Sequence, residues 1–173
     1  MPYDFEAVIV DVPDFPKPGI TFKDITPVLS NGQAFAEVTG AFADRWRDAG
    51  LDAVVGIESR GFIFGASLAH ELGIGMVIVR KPGKLPRETF KVSYDLEYGS
   101  DTLEIHKDSF APGAKVLIID DVLATGGTAA ACVELVQNAG GEVAGCGFVL
   151  ELDALEGRSK LPSGTVIQTL VHV

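Results

Sequence analysis

Hydrophobic positions along this chain keep two rhythms, and the change between them marks its elements. Over residues 33–49 the apolar side chains Ala34, Phe35, Val38, Ala41, Phe42 and Trp46 recur three and four positions apart. That spacing predicts an amphipathic helix ending before Gly50. Beyond it, short apolar runs at 53–57, 75–79 and 116–119 alternate with helix-like stretches at 62–72 and 127–139, and 142–150 and 165–171 read as further strands. Strands and helices in turn require crossover connections, so the expected fold is α/β, a central, mostly parallel sheet flanked by helices. Two segments break the rhythm. Residues 1–32 are expected to form a small N-terminal hood, because the stretch 11–32 is rich in Pro, Gly and Asp and predicts no helix of any length. Residues 81–107 begin rich in Pro and Gly and then alternate on either side of Tyr98-Gly99-Ser100, which predicts a flexible two-stranded flap. A loop of that length is functional or disordered, and the pattern alone leaves both open.

The 173 residues, 47% of them hydrophobic, suffice for one good core, so 1–173 is read as a single domain. No apolar run reaches the ~20 residues of a membrane helix, and the start lacks a basic then apolar export signal. A soluble, cytoplasmic protein with no membrane partner is expected. Cys132 and Cys146 sit in apolar surroundings, which suits buried thiols in a reducing compartment. A net charge of −10 opposes attraction to nucleic acid, which is therefore not an expected partner. The window 80–91 departs from this balance, with Arg80, Lys81, Lys84, Arg87 and Lys91 against Glu88 alone. Either a local anion site or a solvated basic loop accounts for it.

The most informative stretch is 116–128. Four apolar residues form a buried strand, Asp120 and Asp121 stand at its carboxyl end, and Thr125-Gly126-Gly127-Thr128 turns into a helix. Ligands of open α/β sheets bind at that end. Gly126 and Gly127 admit close approach of an anion, the first helix amides point outward, and Thr125 and Thr128 add hydroxyl donors, a combination suited to phosphate. Two carboxylates beside a phosphate repel it unless they face something else, such as ribose hydroxyls, with magnesium nearby to offset their charge. A phosphorylated sugar satisfies both demands. A P-loop is the competing phosphate binder, but the Lys of its Gly-Lys-Ser/Thr ending is missing.

This stretch resembles the phosphoribosyl pyrophosphate (PRPP) signature of the type I phosphoribosyltransferases throughout its length. Four further segments, 15–25, 58–62, 80–86 and 96–99, occur in the order found in the adenine phosphoribosyltransferase branch of that family. The resemblance implies transfer of the phosphoribosyl group of PRPP to N9 of adenine, giving AMP and pyrophosphate, in purine salvage. It implies a Mg2+ cofactor bound through PRPP near Asp120 and Asp121, and a homodimer. It implies that Ala124, Thr125, Gly126, Gly127 and Thr128 hold the 5′-phosphate while Asp120 and Asp121 face the ribose. Ser59 and Arg60 would grip pyrophosphate, joined by Lys81 and Lys84. Arg60 paired on the surface with Glu58 is the plainer alternative. Phe22 and Leu152 would sandwich the adenine, and backbone near Thr21 would read its edge. Lys23 stands where many members carry Arg, exchanging a planar bidentate donor for a point charge. Phe22 as an ordinary core residue stays open.

Ala124 bears on the base, because the related 6-oxopurine enzymes place an Asp there. Alanine cannot move a proton, and the resemblance passes that task to Glu97 on the flap, with Tyr98 covering the site. A solvated carboxylate and a turn-flanking aromatic are the alternatives for these two. His70, His106 and His172 have no partner at catalytic or metal-ligand spacing and receive no role. Other purine phosphoribosyltransferases, for xanthine or guanine, are the nearest rival, and a PRPP-binding regulator the more distant one. The regulator is disfavoured by the acidic charge and the lack of a spare DNA-reading segment.

Overall fold

A computed structural model of the chain describes residues 4–95 and 99–173. Its centre is a five-stranded parallel sheet with the order β4-β3-β7-β8-β9, formed by β3 (Ala53–Ile57), β4 (Gly75–Val79), β7 (Lys115–Leu123), β8 (Glu142–Glu151) and β9 (Ile167–His172). Side chains alternate across it. Ala53, Val55 and Ile57 of β3 with Val116 and Ile118 of β7 join one apolar cluster, and Val54, Leu117 and Ile119 join the other. Each face therefore needs its own helical cover.

On one face lie α2 (Gly32–Trp46) and α3 (Arg60–Leu72), contributing Val38, Phe42, Phe64 and Leu68. The start of α2 is set by Asn31, whose side-chain oxygen accepts from the backbone N–H of Gln33 at 3.0 Å and Ala34 at 3.1 Å. Gly73, at φ +67°, closes α3. Trp46 ends α2, 3% exposed, against Gly145 of β8. Its indole N–H donates to Gln168 Oε1 of β9 at 2.7 Å, and the Gln168 amide donates in turn to the Ala41 carbonyl at 3.0 Å. The opposite face is covered by α4 (Gly127–Asn138), through Ala129, Cys132, Val133 and Val136.

The flap is an antiparallel pair, β5 (Thr89–Asp95) with β6 (Ser100–His106). It does not simply project from the sheet, because Val92, Leu103 and Ile105 belong to the same core cluster as α4. The hood pairs β1 (Val10–Val12) with β2 (Phe22–Asp24) and, contrary to the expectation from its composition, contains a short helix, α1 (Thr26–Ser30). Pro27 occupies the first turn of α1, where its missing N–H costs nothing, and Ile25 and Val28 bury themselves beneath it. Cys132 and Cys146 are free and buried, and burial pushes the Cys146 thiol up to about 12. Among the described residues no helix is long and apolar enough to cross a membrane.

Candidate active site

Three strand ends of the central sheet open into one cleft of about 490 Å³. The end of β3 delivers Glu58, Ser59 and Arg60, the end of β7 delivers Asp120 to Gly126, and the end of β8 delivers Leu150 and Leu152. The hood supplies Thr21, Phe22 and Lys23, the loop after β4 supplies Lys81, and Thr128 adds the first turn of α4. Of the site residues expected from the sequence, Lys84 and Gly127 do not line the cleft, and Glu97 and Tyr98 lie outside the described residues.

The loop 124–128, expected to hold a phosphate, turns at its glycines. Gly126, at φ +83°, is the N-cap of α4 and no side chain caps the helix, so its leading amides keep donors that no cap takes up. A β-carbon on Gly126 would lie 2.1 Å from the carbonyl oxygen of Gly157, and one on Gly157 would lie 2.2 Å from the carbonyl oxygen of Ala124. The loop after β8 thus rests backbone to backbone on the phosphate loop. Arg158, next to Gly157, fixes that loop by a two-pronged contact with the buried Glu151, from Nε at 2.7 Å and Nη2 at 2.7 Å. Burial raises the Glu151 carboxyl, but Arg158 and Thr169 bring it below its usual value.

Carboxylates and cations alternate around the rest of the cleft. Arg60 pairs with Asp121 and not with Glu58, the alternative left open by its sequence neighbourhood. Asp121 is buried, and its backbone N–H donates to Asp120 Oδ1 at 2.9 Å. Burial, reinforced by the charge of Asp121, holds the Asp120 carboxyl well above the usual carboxylate range. Glu58 collects Arg80 at 3.3 Å, the Lys84 ammonium, and the Lys81 backbone N–H at 2.8 Å. Burial raises Glu58, but these partners outweigh it and draw the carboxyl down to about 2. Lys81 pairs with Asp101 on the flap. Arg87 pairs with Asp108, and Lys91 with Glu104 at 2.7 Å. All five cations of the basic window therefore have a carboxylate partner, and the window is not a freely solvated loop.

On the hood side, Phe22 is half-buried and meets the ring of Phe15 edge to face at 5.3 Å, while Lys23 pairs with Asp11 at 2.7 Å. Phe22 faces the cleft, so it is not simply core. Sequence reading missed Tyr94, which lines the cleft from the flap and accepts from the Thr128 hydroxyl at 3.2 Å. Its position in an alternating, mostly polar strand carried no signal of that contact. His172, left without a partner by its spacing, meets Asp153 at 2.9 Å. Together with Glu151 these make three metal-type donors within 4.8 Å, but Arg158 already occupies Glu151.

The arrangement offers two helix N-termini for anions, a carboxylate pair between them, and an aromatic and an aliphatic wall beside them. Asp120 and Asp121 at the end of β7 offer the oxygen ligands that a hard cation such as magnesium takes, with Asp121 already engaged by Arg60. Comparison with known proteins agrees with this chemistry. Residues 24–164 match the phosphoribosyl transferase domain family. The adenine phosphoribosyltransferase of Chloroflexus aurantiacus is 58% identical over 158 residues, covering 91% of each chain. The crystal structure of the Rhodothermus marinus adenine phosphoribosyltransferase superposes with a TM-score of 0.92 at 51% identity, covering 98% of this chain and 96% of that one. The Saccharomyces cerevisiae enzyme, solved with an imino-altritol bisphosphate and adenine, gives a TM-score of 0.91 at 44% identity and covers 96% of each chain. With this likeness running through nearly its whole length, the chain belongs to the adenine phosphoribosyltransferase family.

Proposed function

We propose that this chain transfers the phosphoribosyl group of PRPP to N9 of adenine, releasing pyrophosphate and AMP. It does so as a single domain with a hood at 1–32 and a flap at 81–107. The observation that carries this reading is the one cleft in which Ala124, Thr125, Gly126 and Thr128, the Asp120 and Asp121 pair, Arg60 and Lys81, and Phe22 with Leu152 converge. A 5′-phosphate suits the amides at the start of α4. Pyrophosphate suits Arg60, Lys81 and the start of α3, where Ser59 is the N-cap. A purine suits the apolar wall. Ala124, unable to titrate, leaves the ring without the acid expected for a 6-oxopurine.

Departure of pyrophosphate from the anomeric carbon leaves oxocarbenium character on the ribose, and fixed charges at both ends lower that barrier. Asp120 and Asp121 lie on the sugar side, and Arg60 with Lys81 on the leaving-group side. Magnesium, when bound with PRPP near the two aspartates, supplies further charge neutralisation to the pyrophosphate. Adenine must lose its N9 proton, and Glu97, assigned by the family resemblance, is the carboxylate suited to receive it. The flap excludes water that would otherwise consume the sugar cation. A homodimer in the cytoplasm completes the reading. For the homodimer alone, the exposed Ile78 on the edge strand β4 and the exposed Ile63 on the adjacent α3 supply apolar surface for a second copy to cover.

A purine panel with PRPP and magnesium tests the proposal. Adenine is expected to release pyrophosphate and form AMP, with hypoxanthine, guanine and xanthine slower by about 10²-fold or more, the scale on which a pocket rejects a near-isostere. Faster turnover of any 6-oxopurine than of adenine overturns the base assignment. PRPP binding without turnover of any purine favours a regulator.

A further inference from the structure

The flap holds a carboxylate with no task in the transfer as described. Asp101 sits on β6 directly opposite Tyr94 of β5, and both face the cleft side of the hairpin. Asp101 Oδ2 receives the ammonium of Lys81 and, at 3.4 Å, the phenol of Tyr94. The Tyr94 hydroxyl in turn receives the Thr128 hydroxyl of the phosphate loop at 3.2 Å, and the Tyr94 ring lies against Gly127. Asp101 is further fixed by the Thr102 backbone N–H, which donates to its other oxygen at 2.8 Å. One carboxylate is therefore held by three contacts and aimed at the lysine that the reading above assigns to pyrophosphate.

We propose that Asp101 is a built-in stand-in anion, a positioning residue that holds Lys81 before PRPP binds and yields it to the pyrophosphate end of PRPP. The proposal rests on Lys81 as a pyrophosphate ligand. Its physical basis is competition. Lys81 has one ammonium, and its side chain is 38% exposed while that of Asp101 is 26% exposed. A pair this wet is weak enough to open, whereas a pyrophosphate with several charges and magnesium attached is the stronger partner. Holding Lys81 by a fixed carboxylate keeps a long, flexible side chain in reach of the incoming anion. It also gives the lysine somewhere to return when pyrophosphate departs, which lowers the affinity for product. Tyr94 anchors the same carboxylate to Thr128, so the stand-in is registered against the loop expected to bind the other end of PRPP.

The test is the affinity for magnesium pyrophosphate, measured by calorimetry and as product inhibition. Folding of each variant is checked by thermal unfolding. Lys81→Ala is expected to weaken binding. Asp101→Asn, with Asp101→Ser as a second neutral variant, is expected to tighten it about 2- to 5-fold, the range for a partly exposed ion pair. In the Lys81→Ala background the same substitutions are expected to change nothing. An unchanged affinity in Lys81→Ala removes Lys81 from the pyrophosphate site and the proposal with it. Weakening by Lys81→Ala without tightening by either Asp101 variant overturns the stand-in alone. Tightening that persists without Lys81 reduces Asp101 to a general source of negative potential, and failure of both Asp101 variants to fold makes it a structural residue. Either result overturns the proposal.

Discussion

Replacing Glu58 by Gln isolates what one carboxylate does for the architecture of the cleft. Gln keeps the size of the side chain and an oxygen for the Lys81 backbone N–H, and it loses only the charge that Arg80 and Lys84 share. The Glu58 carboxyl lies at about 2 against an ordinary value of 4.5. At about 1.4 kcal/mol per pH unit, that displacement is an upper bound of about 3–4 kcal/mol of folding stability. Arg80 and Lys84 are 30% and 45% exposed, so solvent screening reduces the expected loss to about 1–2 kcal/mol. The sign follows from linkage. A carboxyl depressed by folding contributes fully above its unfolded value, and that contribution fades as pH falls from 4.5 through about 2. Urea unfolding of both proteins, followed by circular dichroism at pH 7, 5.5, 4 and 3.5, should therefore show a stability gap that is constant at the upper two values and narrows at the lower two. A gap independent of pH, or no gap at pH 7, refutes the argument that charge pairing at Glu58 joins the end of β3 to the loop after β4.

Two further substitutions probe the phosphate side. Asp120→Asn is expected to abolish turnover and to raise the melting temperature. The folded protein raises the Asp120 carboxyl, so ionising it costs stability as pH climbs above the ordinary carboxylate range. The gain should grow in thermal scans as pH rises above about 4, the ordinary carboxylate range. Gly157→Ala drives a methyl toward the Ala124 carbonyl and is expected to cost about 1–3 kcal/mol by overpacking. Because the displaced backbone is the loop proposed to hold the 5′-phosphate, KM for PRPP should rise about 10-fold with KM for adenine changed less, as steady-state kinetics can show.

Periodicity carried the architecture far because burial is written locally. β3 and β4 have the bounds their apolar runs predict, and α2 begins and ends within three residues of its pattern. Where the edges moved, polar residues had taken part in regular structure. β7 continues to Leu123 because Asp120 and Val122 still pair with Phe148 and Leu150 of β8, although the apolar run stops at Ile119. α3 begins at Arg60, whose charge hides a helix start. The phosphate loop was legible because a strand, a carboxylate pair and a Gly-Gly turn are consecutive. Ion pairing was not, since Arg60 and its partner Asp121 are separated by 61 positions, and Lys81 from Asp101 by 20. The support of Gly126 by Gly157 is equally silent in sequence, because a contact between two backbones leaves no side-chain pattern except the absence of one.

Trp46 is the one tryptophan of the chain. Packed from the end of α2 against β8 and hydrogen-bonded to Gln168 of β9, it lies among the residues of the sheet face covered by α2 and α3 and is not part of the lining of the cleft. Its fluorescence therefore reports whether the last strand of the sheet is still docked. The optical signal of unfolding is set by the C-terminal edge of the molecule, and ligand titrations will need a label placed elsewhere.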